Sequence, residues 1–291
     1  MTLASSRHAL TCASKAFSRK VRIRNPGNTM PEAWGSAEGY EYAMGRWSRV
    51  LATTFLEWAR TATDAEVLDV GCGAGALSEA LLARGASAVV GLDPSAAYVE
   101  YAASRVRGKG TASFQVGNAM NLPFPDNRFG AVVSGLVLNF VPDAARAVHE
   151  MRRVVRPDAV VAACVWDYAG GMEMLRFFWD AAAALSPDAR KLDEGVRFSI
   201  CKPEKLANLF LEATLSRVET ASLDVPMVFR NFDDYWTPFL GGQGPAGGYA
   251  MGLGEGERGG LRDSLQSRLP RRKDGSIALT ARAWAVRGNK V

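Results

Sequence analysis

The stretch Val67-Leu-Asp-Val-Gly-Cys-Gly-Ala-Gly75, together with the later Val89-Val-Gly-Leu-Asp-Pro-Ser95, decides the fold. The first stretch begins as an aliphatic run typical of a buried strand and passes straight into a glycine-rich turn and a helical pattern. Glycine adopts backbone conformations closed to other residues and lets a ligand lie against the main chain. Open α/β sheets bind ligands at the carboxyl ends of their strands, where this turn falls. The two stretches therefore predict a nucleoside-binding pocket.

Short aliphatic runs alternate with helical patterns from Glu66 to Trp166, after a first helical pattern over Arg46–Ala59. Such alternation implies right-handed crossovers and a doubly wound, mostly parallel α/β sheet with helices on both faces. The predicted strands are Val67–Val70, Ala88–Leu92, Ala112–Val116, Ala131–Ser134 and Val160–Trp166, and the predicted helices between them are Leu77–Ala83, Ala96–Arg105 and Ala144–Val154.

The alternation ends at Tyr168, and the following residues are predicted to form a small helical and loop insertion that covers the substrate. Because Gly241–Gly248 is polar and rich in glycine, we interpret it as a loop or lid. The other predicted elements are helices at Met172–Leu185 and Pro203–Leu211 and strands at Val218–Val225 and Ser276–Val286. The domain division is a basic, disordered extension (1–30) and one domain (31–291), which comprises a cofactor-binding core (40–166), substrate-side elements (168–275) and a last strand (276–286).

The positive charge is concentrated at the start of the chain. Residues 1–30 carry six basic and no acidic residues, whereas the whole chain has a net charge of +5, so residues 31–291 have a net charge of −1. A nearly neutral body argues against a nucleic-acid substrate. The basic segment has the composition of a mitochondrial transit peptide, but a disordered tail, or a misassigned start with Met30 as the true one, also fits. We expect a cytoplasmic protein without a membrane span, with a mitochondrial location as the alternative.

The four cysteines show neither C-x-x-C pairing nor histidine partners at metal-ligand spacing. They are Cys12, Cys72, Cys164 and Cys201. We therefore expect no metal site, and reduced thiols in a reducing compartment.

Asp93 ends the second predicted strand, eighteen residues after Gly75. A carboxylate there can accept both hydroxyl hydrogens of a ribose. The glycines alone also satisfy the looser fingerprint of a nicotinamide or flavin dinucleotide site. Three features favour a different nucleoside cofactor: Asp69 precedes the glycines, the glycines read G-x-G-x-G, and Asn118 follows the third strand, where it can hydrogen-bond an adenine amino group.

With these residues in view, the sequence resembles the class I S-adenosylmethionine-dependent methyltransferases. It is most similar to the branch that includes the ubiquinone/menaquinone-biosynthesis C-methyltransferases (methyltransferase type 11). The resemblance covers about Tyr40 to Trp166, and its motifs are Val-Leu-Asp-Val-Gly-Cys-Gly-Ala-Gly, Gly-Leu-Asp-Pro-Ser and Asn-Leu-Pro-Phe-Pro-Asp-Asn-Arg-Phe. It implies a Rossmann-like, seven-stranded sheet whose last strand is antiparallel, with S-adenosyl-L-methionine as cofactor and S-adenosyl-L-homocysteine as product.

The resemblance also implies roles for individual residues. The glycines would line the methionine part of the cofactor, and Asp93 would hold the ribose. Arg46 would either pair with the methionine carboxylate or be a surface cation at a helix start. The family usually has aspartate where this chain has Asn118, so we expect altered binding strength there. The full set of implied cofactor residues is Arg46, Asp69, Gly71, Cys72, Gly73, Gly75, Asp93, Pro94, Ser95, Asn118, Ala119 and Met120.

Candidate residues for catalysis are fewer, because methyl transfer from a sulfonium mainly requires alignment in a dry cleft. Neither His8 nor His149 is expected to act as a base. Asp167 follows the fifth strand and is either a base or a loop cap, and Asn139 either orients an acceptor or satisfies loop backbone. Aromatic residues of the insertion would either wall an apolar acceptor or pack the core: Phe232, Tyr235, Trp236, Phe239 and Tyr249.

Three functions remain open from the sequence. The favoured one is methyl transfer to a small organic acceptor at carbon, oxygen or nitrogen. The others are an NAD(P)-dependent oxidoreductase and a protein that binds the cofactor without catalysis.

Overall fold

The computed structural model describes residues 36–61 and 64–291, so the predicted extension 1–30 lies outside the described residues. The strands are β1 (Glu66–Val70), β2 (Ala88–Asp93), β3 (Ala112–Val116), β4 (Phe129–Gly135), β5 (Val155–Trp166), β6 (Leu215–Phe229) and β7 (Ile277–Lys290). The helices are α1 (Ala37–Tyr40), α2 (Arg46–Ala59), α3 (Ala76–Ala83), α4 (Ala96–Val106), α5 (Ala144–Val154), α6 (Glu173–Leu185), α7 (Glu194–Arg197), α8 (Pro203–Glu212), α9 (Phe232–Leu240), α10 (Gly244–Gly252) and α11 (Glu255–Arg268). A π-helical turn (Glu41–Gly45) joins α1 to α2, and 3-10 turns occupy Leu138–Phe140 and Pro187–Lys191.

In the described part of the chain, the strands form one seven-stranded sheet in the order β3-β2-β1-β4-β5-β7-β6. Strands β1 to β5 are parallel, and β7 lies antiparallel between β5 and β6. The predicted doubly wound fold with an antiparallel last strand is therefore confirmed. Because β1, β2 and β4 are neighbours, the turns after them share the carboxyl edge of the sheet.

The aliphatic runs from which the parallel strands were predicted form the buried interior of the sheet. After Glu66, every residue of β1 is buried, as expected for a parallel strand covered by helices on both faces. By contrast, β6 alternates between buried and exposed residues, and among the described strands it pairs only with β7. Its Pro226 lacks an N–H donor, which an edge strand tolerates. The prediction of Val218–Val225 was too short because proline and the alternating polar residues obscured the strand.

The prediction of a loop or lid over the glycine-rich segment was wrong, because much of it forms α10. Gly242 and Gly244 have φ of +67° and +64° and shape the turn into the helix. A Cβ at Gly247 would lie 2.9 Å from the Gly242 carbonyl carbon and 3.2 Å from the Phe239 carbonyl oxygen. These glycines therefore permit a tight turn and close packing of α10 against α9.

Helix α11 was not predicted, because its sequence is rich in arginine and glycine. Its buried apolar residues are Leu261 and Leu265, which are four residues apart and therefore share one helix face. None of the described helices is both long and apolar enough to cross a membrane.

Candidate active site

A cavity of about 630 Å³ lies at the carboxyl edge of the sheet. It brings together most of the residues predicted for the cofactor: Asp69, Gly71, Cys72, Gly73, Asp93, Pro94, Ser95, Asn118, Ala119 and Met120. Residues from the covering helices complete the wall, among them Tyr40, Tyr98, Met174, Leu175, Glu194, Phe239, Pro245 and Ala246.

The glycine turn after β1 is held against the end of β2. The N–H groups of Gly71 and Cys72 donate to the Leu92 carbonyl oxygen at 2.7 and 3.0 Å. Gly71 has φ of +74°, and a Cβ there would lie 2.5 Å from the Val137 methyl carbons. Gly75 does not line the cavity; it packs α3 against Ala102 of α4, at 3.1 Å from a hypothetical Cβ. The turn therefore combines an exposed backbone with glycines needed for packing.

Asp93 organises two turns with one carboxylate. Its Oδ2 accepts the Gly73 N–H at 3.0 Å and its Oδ1 accepts the Ser95 N–H at 2.9 Å. A carboxylate oxygen can accept more than one hydrogen bond, so both oxygens retain capacity for ribose hydroxyls. Burial raises the pKa of Asp93, while its two backbone hydrogen bonds lower it. Asp93 is thus both a ligand candidate and a support of the glycine turn.

Asp69 is completely buried in the cavity wall. Its Oδ2 accepts the Ser78 hydroxyl at 2.6 Å, whereas its Oδ1 has no hydrogen-bond partner among the described residues. Burial, with a smaller contribution from the nearby Asp93 charge, raises the pKa of Asp69 to about 7 against the opposing effect of the Ser78 hydrogen bonds. A buried, unsatisfied carboxylate oxygen is costly, and a donor such as an amino group held in the cavity would satisfy it.

The raised pKa of Asp69 predicts a pH dependence of stability. In the unfolded chain the carboxyl has the ordinary aspartate pKa of 3.8, but in the folded protein it ionises near 7. The folded state therefore binds the extra proton between these values, so the free energy of unfolding should fall as pH rises from about 4 to 7. Asp69 contributes up to about 1.4 kcal/mol per pH unit.

Chemical denaturation at several pH values measures this slope. Replacing Asp69 with asparagine removes the titrating group, so the slope should become shallower in Asp69→Asn. An identical slope in the variant and the parent would contradict the assignment. The exposed Asp188→Asn is a matched control, since it removes a carboxyl outside the core.

Asn118 lies after β3 and bridges to Asn121. Its side-chain Oδ1 accepts the Met120 N–H at 2.9 Å. The amide oxygen is therefore already engaged, although its second lone pair can still accept a hydrogen bond. The other head-group atom is an NH2 donor where an aspartate would offer a second acceptor oxygen, so asparagine has less capacity to accept from an adenine amino group.

Arg46 does not line the cavity, contrary to the role implied for it. Its guanidinium pairs with Asp234 at 3.2 Å and lies over the Trp47 ring at 4.4 Å. Asp234 is 188 residues further along the chain, at the start of α9. The ion pair therefore connects α2 to α9, and the geometry assigns Arg46 a structural role.

We expect Arg46→Ala to leave the affinity for S-adenosylhomocysteine within about twofold of the parent. The variant should lose about 1 kcal/mol of stability, the scale of a partly exposed ion pair. Titration calorimetry and denaturant unfolding measure the two effects. A tenfold loss of affinity, with Arg46→Lys restoring it, would instead return Arg46 to the cofactor site.

Asp167 caps a loop, and it does not line the cavity as a base would. Its carboxylate accepts the N–H groups of Gly170 and Gly171 at 3.1 and 2.7 Å. Its neighbours Trp166 and Tyr168 line the cavity, while Asp167 itself does not. The loop-cap interpretation of Asp167 agrees with this geometry.

Asn139 sits in the 3-10 turn after β4 and is also absent from the cavity wall. Its amide nitrogen and oxygen are buried without hydrogen-bond partners among the described residues. The expected hydrogen bonds to loop backbone are therefore not made, and the acceptor-orienting role remains a proposal.

Most of the aromatic residues expected to wall the acceptor pack the core instead. Phe239 lines the cavity, but Phe232, Tyr235, Trp236 and Tyr249 do not. Phe239 stacks on Phe178 with ring centroids 4.5 Å apart. The aromatic cluster thus supports the cavity wall from behind.

Glu194 is a cavity residue that the sequence did not indicate. It opens the short helix α7, is 3% exposed, and accepts a hydrogen bond from the Trp179 indole N–H. Burial raises the pKa of Glu194 to about 7. Glu194 is one of two adjacent acidic residues in the stretch Leu192-Asp-Glu-Gly-Val-Arg197, and nothing in that stretch indicates that it lines a cavity.

Residues 68–163 of this chain match the model of a family described as "Methyltransferase domain". Demethylmenaquinone methyltransferase of Lactiplantibacillus plantarum is 42% identical over 105 residues, which cover 34% of this chain and 44% of that protein. The 2-methyl-6-phytyl-1,4-hydroquinone methyltransferase of Synechocystis sp. is 32% identical over 182 residues, which cover 61% of this chain and 55% of that protein. The chain therefore spans about half the length of the curated relatives it matches.

A solved structure shares the fold at lower identity. The YcgJ protein of Bacillus subtilis superposes with a TM-score of 0.55 at 20% identity, covering 84% of this chain and 97% of that chain. At this identity the likeness concerns the fold alone.

Proposed function

We propose, from the methyltransferase domain that residues 68–163 of this chain form, that the protein transfers a methyl group from S-adenosyl-L-methionine to a small organic acceptor. The observation that carries this proposal is the single cavity wall shared by the glycine turn, Asp93 and the covering helices. The glycine turn and Asp93 offer backbone and carboxylate groups for a nucleoside, and the covering helices offer apolar space beside it.

The residues present fit the cofactor. Asp93 would accept the ribose hydroxyls, and the Asn118–Met120 backbone and side chain would meet the adenine. The unsatisfied Asp69 Oδ1 would accept from the amino group of the methionine part. When bound, the cofactor supplies an electrophilic methyl carbon on a sulfonium.

The protein's own contribution is alignment and exclusion of water. Helix α10 and the segment around Phe140–Pro142 close the cavity with apolar residues. A dry, shaped cavity holds a nucleophile in line with the methyl group, which lowers the entropic part of the barrier. An apolar wall also matches the quinone-type molecules in the names of the relatives, and we propose an aromatic acceptor on that basis.

Labelled transfer tests the proposal directly. The full chain is incubated with methyl-labelled S-adenosylmethionine and fractionated cell extract, and label is followed into small molecules. Titration calorimetry with S-adenosylhomocysteine and with NAD accompanies it. Transfer of label with S-adenosylhomocysteine binding supports the proposal, binding without transfer to any fraction favours a non-catalytic protein, and tight binding of NAD alone would establish an oxidoreductase.

A further inference from the structure

We propose that Arg153 and Glu150 of α5 are positioning residues for the adenine of the cofactor, because they hold the loop between β3 and β4 whose segment Asn118–Met120 would meet the base. The two residues are called the α5 clamp below. Neither lines the cavity, so the clamp acts only through the loop. The inference rests on the proposed binding of S-adenosyl-L-methionine, and it deepens that proposal by giving residues outside the cavity wall a part in it.

The loop between β3 and β4 spans residues 117–128 and connects two strands of the parallel part of the sheet. Crossovers between parallel strands usually contain a helix, whose backbone groups bond one another. The crossovers before this one contain α3 and α4, but this loop, which the structure describes in full, contains no helix. Its peptide groups therefore need partners outside the loop, and those partners determine where the loop lies.

The segment that would meet adenine, Asn118–Met120, is fixed at its start by β2. The Gly117 N–H donates to the Asp93 carbonyl oxygen at 3.0 Å. A turn follows, in which the Asn121 N–H donates to the Asn118 carbonyl oxygen at 3.0 Å. The end of this turn leads directly to the α5 clamp.

Leu122 is held by the clamp through both of its backbone polar groups. Its N–H donates to Glu150 Oε2 at 2.8 Å, and its carbonyl oxygen accepts from Arg153 Nη2 at 2.9 Å. The residue is 3% exposed, so packing fixes it as well. Because Leu122 lies two residues after Met120, the clamp controls the position of the adjoining cavity wall.

The guanidinium of Arg153 makes hydrogen bonds in every direction that it offers. Nη1 donates to the Phe124 carbonyl oxygen at 2.8 Å and to Asp126 Oδ1 at 2.7 Å. Nη2 and Nε donate to the two carboxylate oxygens of Glu150 at 2.8 and 2.7 Å, which is the strong bidentate arrangement. With the bond to Leu122, every N–H donor of the side chain has an acceptor.

The sequence explains why the loop offers carbonyl oxygens to an arginine. Leu122 and Phe124 each precede a proline in the motif Asn-Leu-Pro-Phe-Pro-Asp-Asn-Arg-Phe. Proline has no N–H and disfavours the helical conformation in the residue before it, so this stretch cannot satisfy its own carbonyl groups as a helix does. None of residues 121–129 lines the cavity. Holding the loop on α5 gives this motif a role.

The last turn of α5 is suited to hold the loop, because its carbonyl groups have no partners within the helix. The Arg153 carbonyl oxygen accepts the Asn127 N–H at 3.1 Å, and the Val154 carbonyl oxygen accepts the Arg128 N–H at 2.8 Å. Arg153 and Glu150 are three residues apart and share one face of the helix. The Arg153 hydrogen bonds hold the pKa of Glu150 below its usual range, so the carboxylate stays charged near neutral pH.

Two ligands that differ in the base test the proposal. They are S-adenosylhomocysteine and S-ribosylhomocysteine, which has the same sulfur-linked ribose and amino acid but no adenine. Ligand-observed NMR with the full chain measures both affinities. We expect Arg153→Ala to weaken S-adenosylhomocysteine binding by about tenfold, because adenine must then order the loop, and to leave S-ribosylhomocysteine binding within about twofold of the parent. Equal weakening of both ligands, or parental binding of both, would overturn the inference.

Arg282→Ala is the matched control, because it also removes an arginine from a partly exposed ion pair. Arg282 pairs with Asp224 at 2.9 Å on the antiparallel strands β6 and β7, and its side chain is 39% exposed, against 31% for Arg153. We expect this variant to bind both ligands as the parent does. A loss of S-adenosylhomocysteine binding alone, as large as in Arg153→Ala, would contradict a specific role of the clamp.

Arg153→Lys and Glu150→Gln keep the proposal testable if Arg153→Ala does not fold. Lysine keeps the charge, but a single ammonium does not reproduce the planar set of donors. Glutamine keeps an acceptor for the Leu122 N–H and removes the charge. We expect each variant to weaken S-adenosylhomocysteine binding by about threefold and to spare S-ribosylhomocysteine. Parental binding of both ligands by both variants would refute the role of the clamp.

The same measurements separate this inference from the proposed function. If the parent binds S-adenosylhomocysteine and the clamp variants keep its preference over S-ribosylhomocysteine, only the role of the clamp is removed. Failure of the parent to bind S-adenosylhomocysteine removes the proposed function, and the inference with it.

Discussion

Replacing Asp93 with alanine is expected to weaken S-adenosylhomocysteine binding by about 100-fold. The variant has no carboxylate to accept hydrogen bonds from the ribose, and each such charge-assisted bond is worth about 1.5–3 kcal/mol. The N–H groups of Gly73 and Ser95, which donate to Asp93 at 3.0 and 2.9 Å in the parent, would also lose their acceptor. Two turns that form the pocket would therefore lose their common anchor.

Titration calorimetry at constant pH measures this loss. Asp93→Asn is the matched control, because it keeps the size of the side chain and one acceptor oxygen but removes the charge. We expect its affinity to fall between that of the parent and that of Asp93→Ala. Parental affinity in Asp93→Ala would refute the ribose assignment.

Replacing Gly71 with alanine is expected to cost several kcal/mol of stability, or to prevent folding. The residue has φ of +74°, where a Cβ is strained, and the added carbon would lie 2.5 Å from both Val137 methyl groups. Strain of this kind costs about 1–3 kcal/mol, and overpacking costs a similar amount. Val137 belongs to the cavity wall, so its displacement would also narrow the site.

Gly73→Ala introduces the backbone strain without the collision, so comparing it with Gly71→Ala isolates the effect of the collision. Gly73 has φ of +48°, but the nearest atom to an added Cβ would be Tyr98 Cδ1 at 4.0 Å. The two variants should therefore differ by roughly the overpacking cost, about 1–3 kcal/mol in the free energy of unfolding. Denaturant unfolding of both proteins measures the difference, and equal stabilities would show that the contact with Val137 is unimportant.

The parallel strands were predictable because each is a buried aliphatic run with a clear end. The strands from β1 to β4 match their predicted positions to within two residues at each end, and β5 begins five residues earlier than predicted. Helix α11 was missed because two buried leucines among arginines and glycines give a weak helical pattern. Helix α10 was missed because glycine is usually a sign of turns, whereas here Gly247 serves a contact between two backbones.

The candidate site was predictable where it depends on residues close together in sequence. Asp93 and the glycine turn are such residues, and the structure places them in one wall. Arg46 pairs with Asp234 and does not line the cavity, and the sequence could not indicate this pair because Asp234 lies far along the chain. Glu194 was invisible for the same reason: only the folding of α7 onto β5 and α6 makes an ordinary acidic residue part of a cavity.

The contact of α10 with α9 bears on how the acceptor range of such a protein can change. The wall residues Pro245 and Ala246 are positioned by Gly247, whose α-carbon leaves no room for a side chain against α9. Exchanging side chains inside the cavity alters its lining, but the position of this wall is set by a contact between main chains. Two kinds of substitution can therefore change which acceptors fit. Substitutions of lining residues change the chemistry of the cavity, whereas a substitution of Gly247, which does not line the cavity, would change its size.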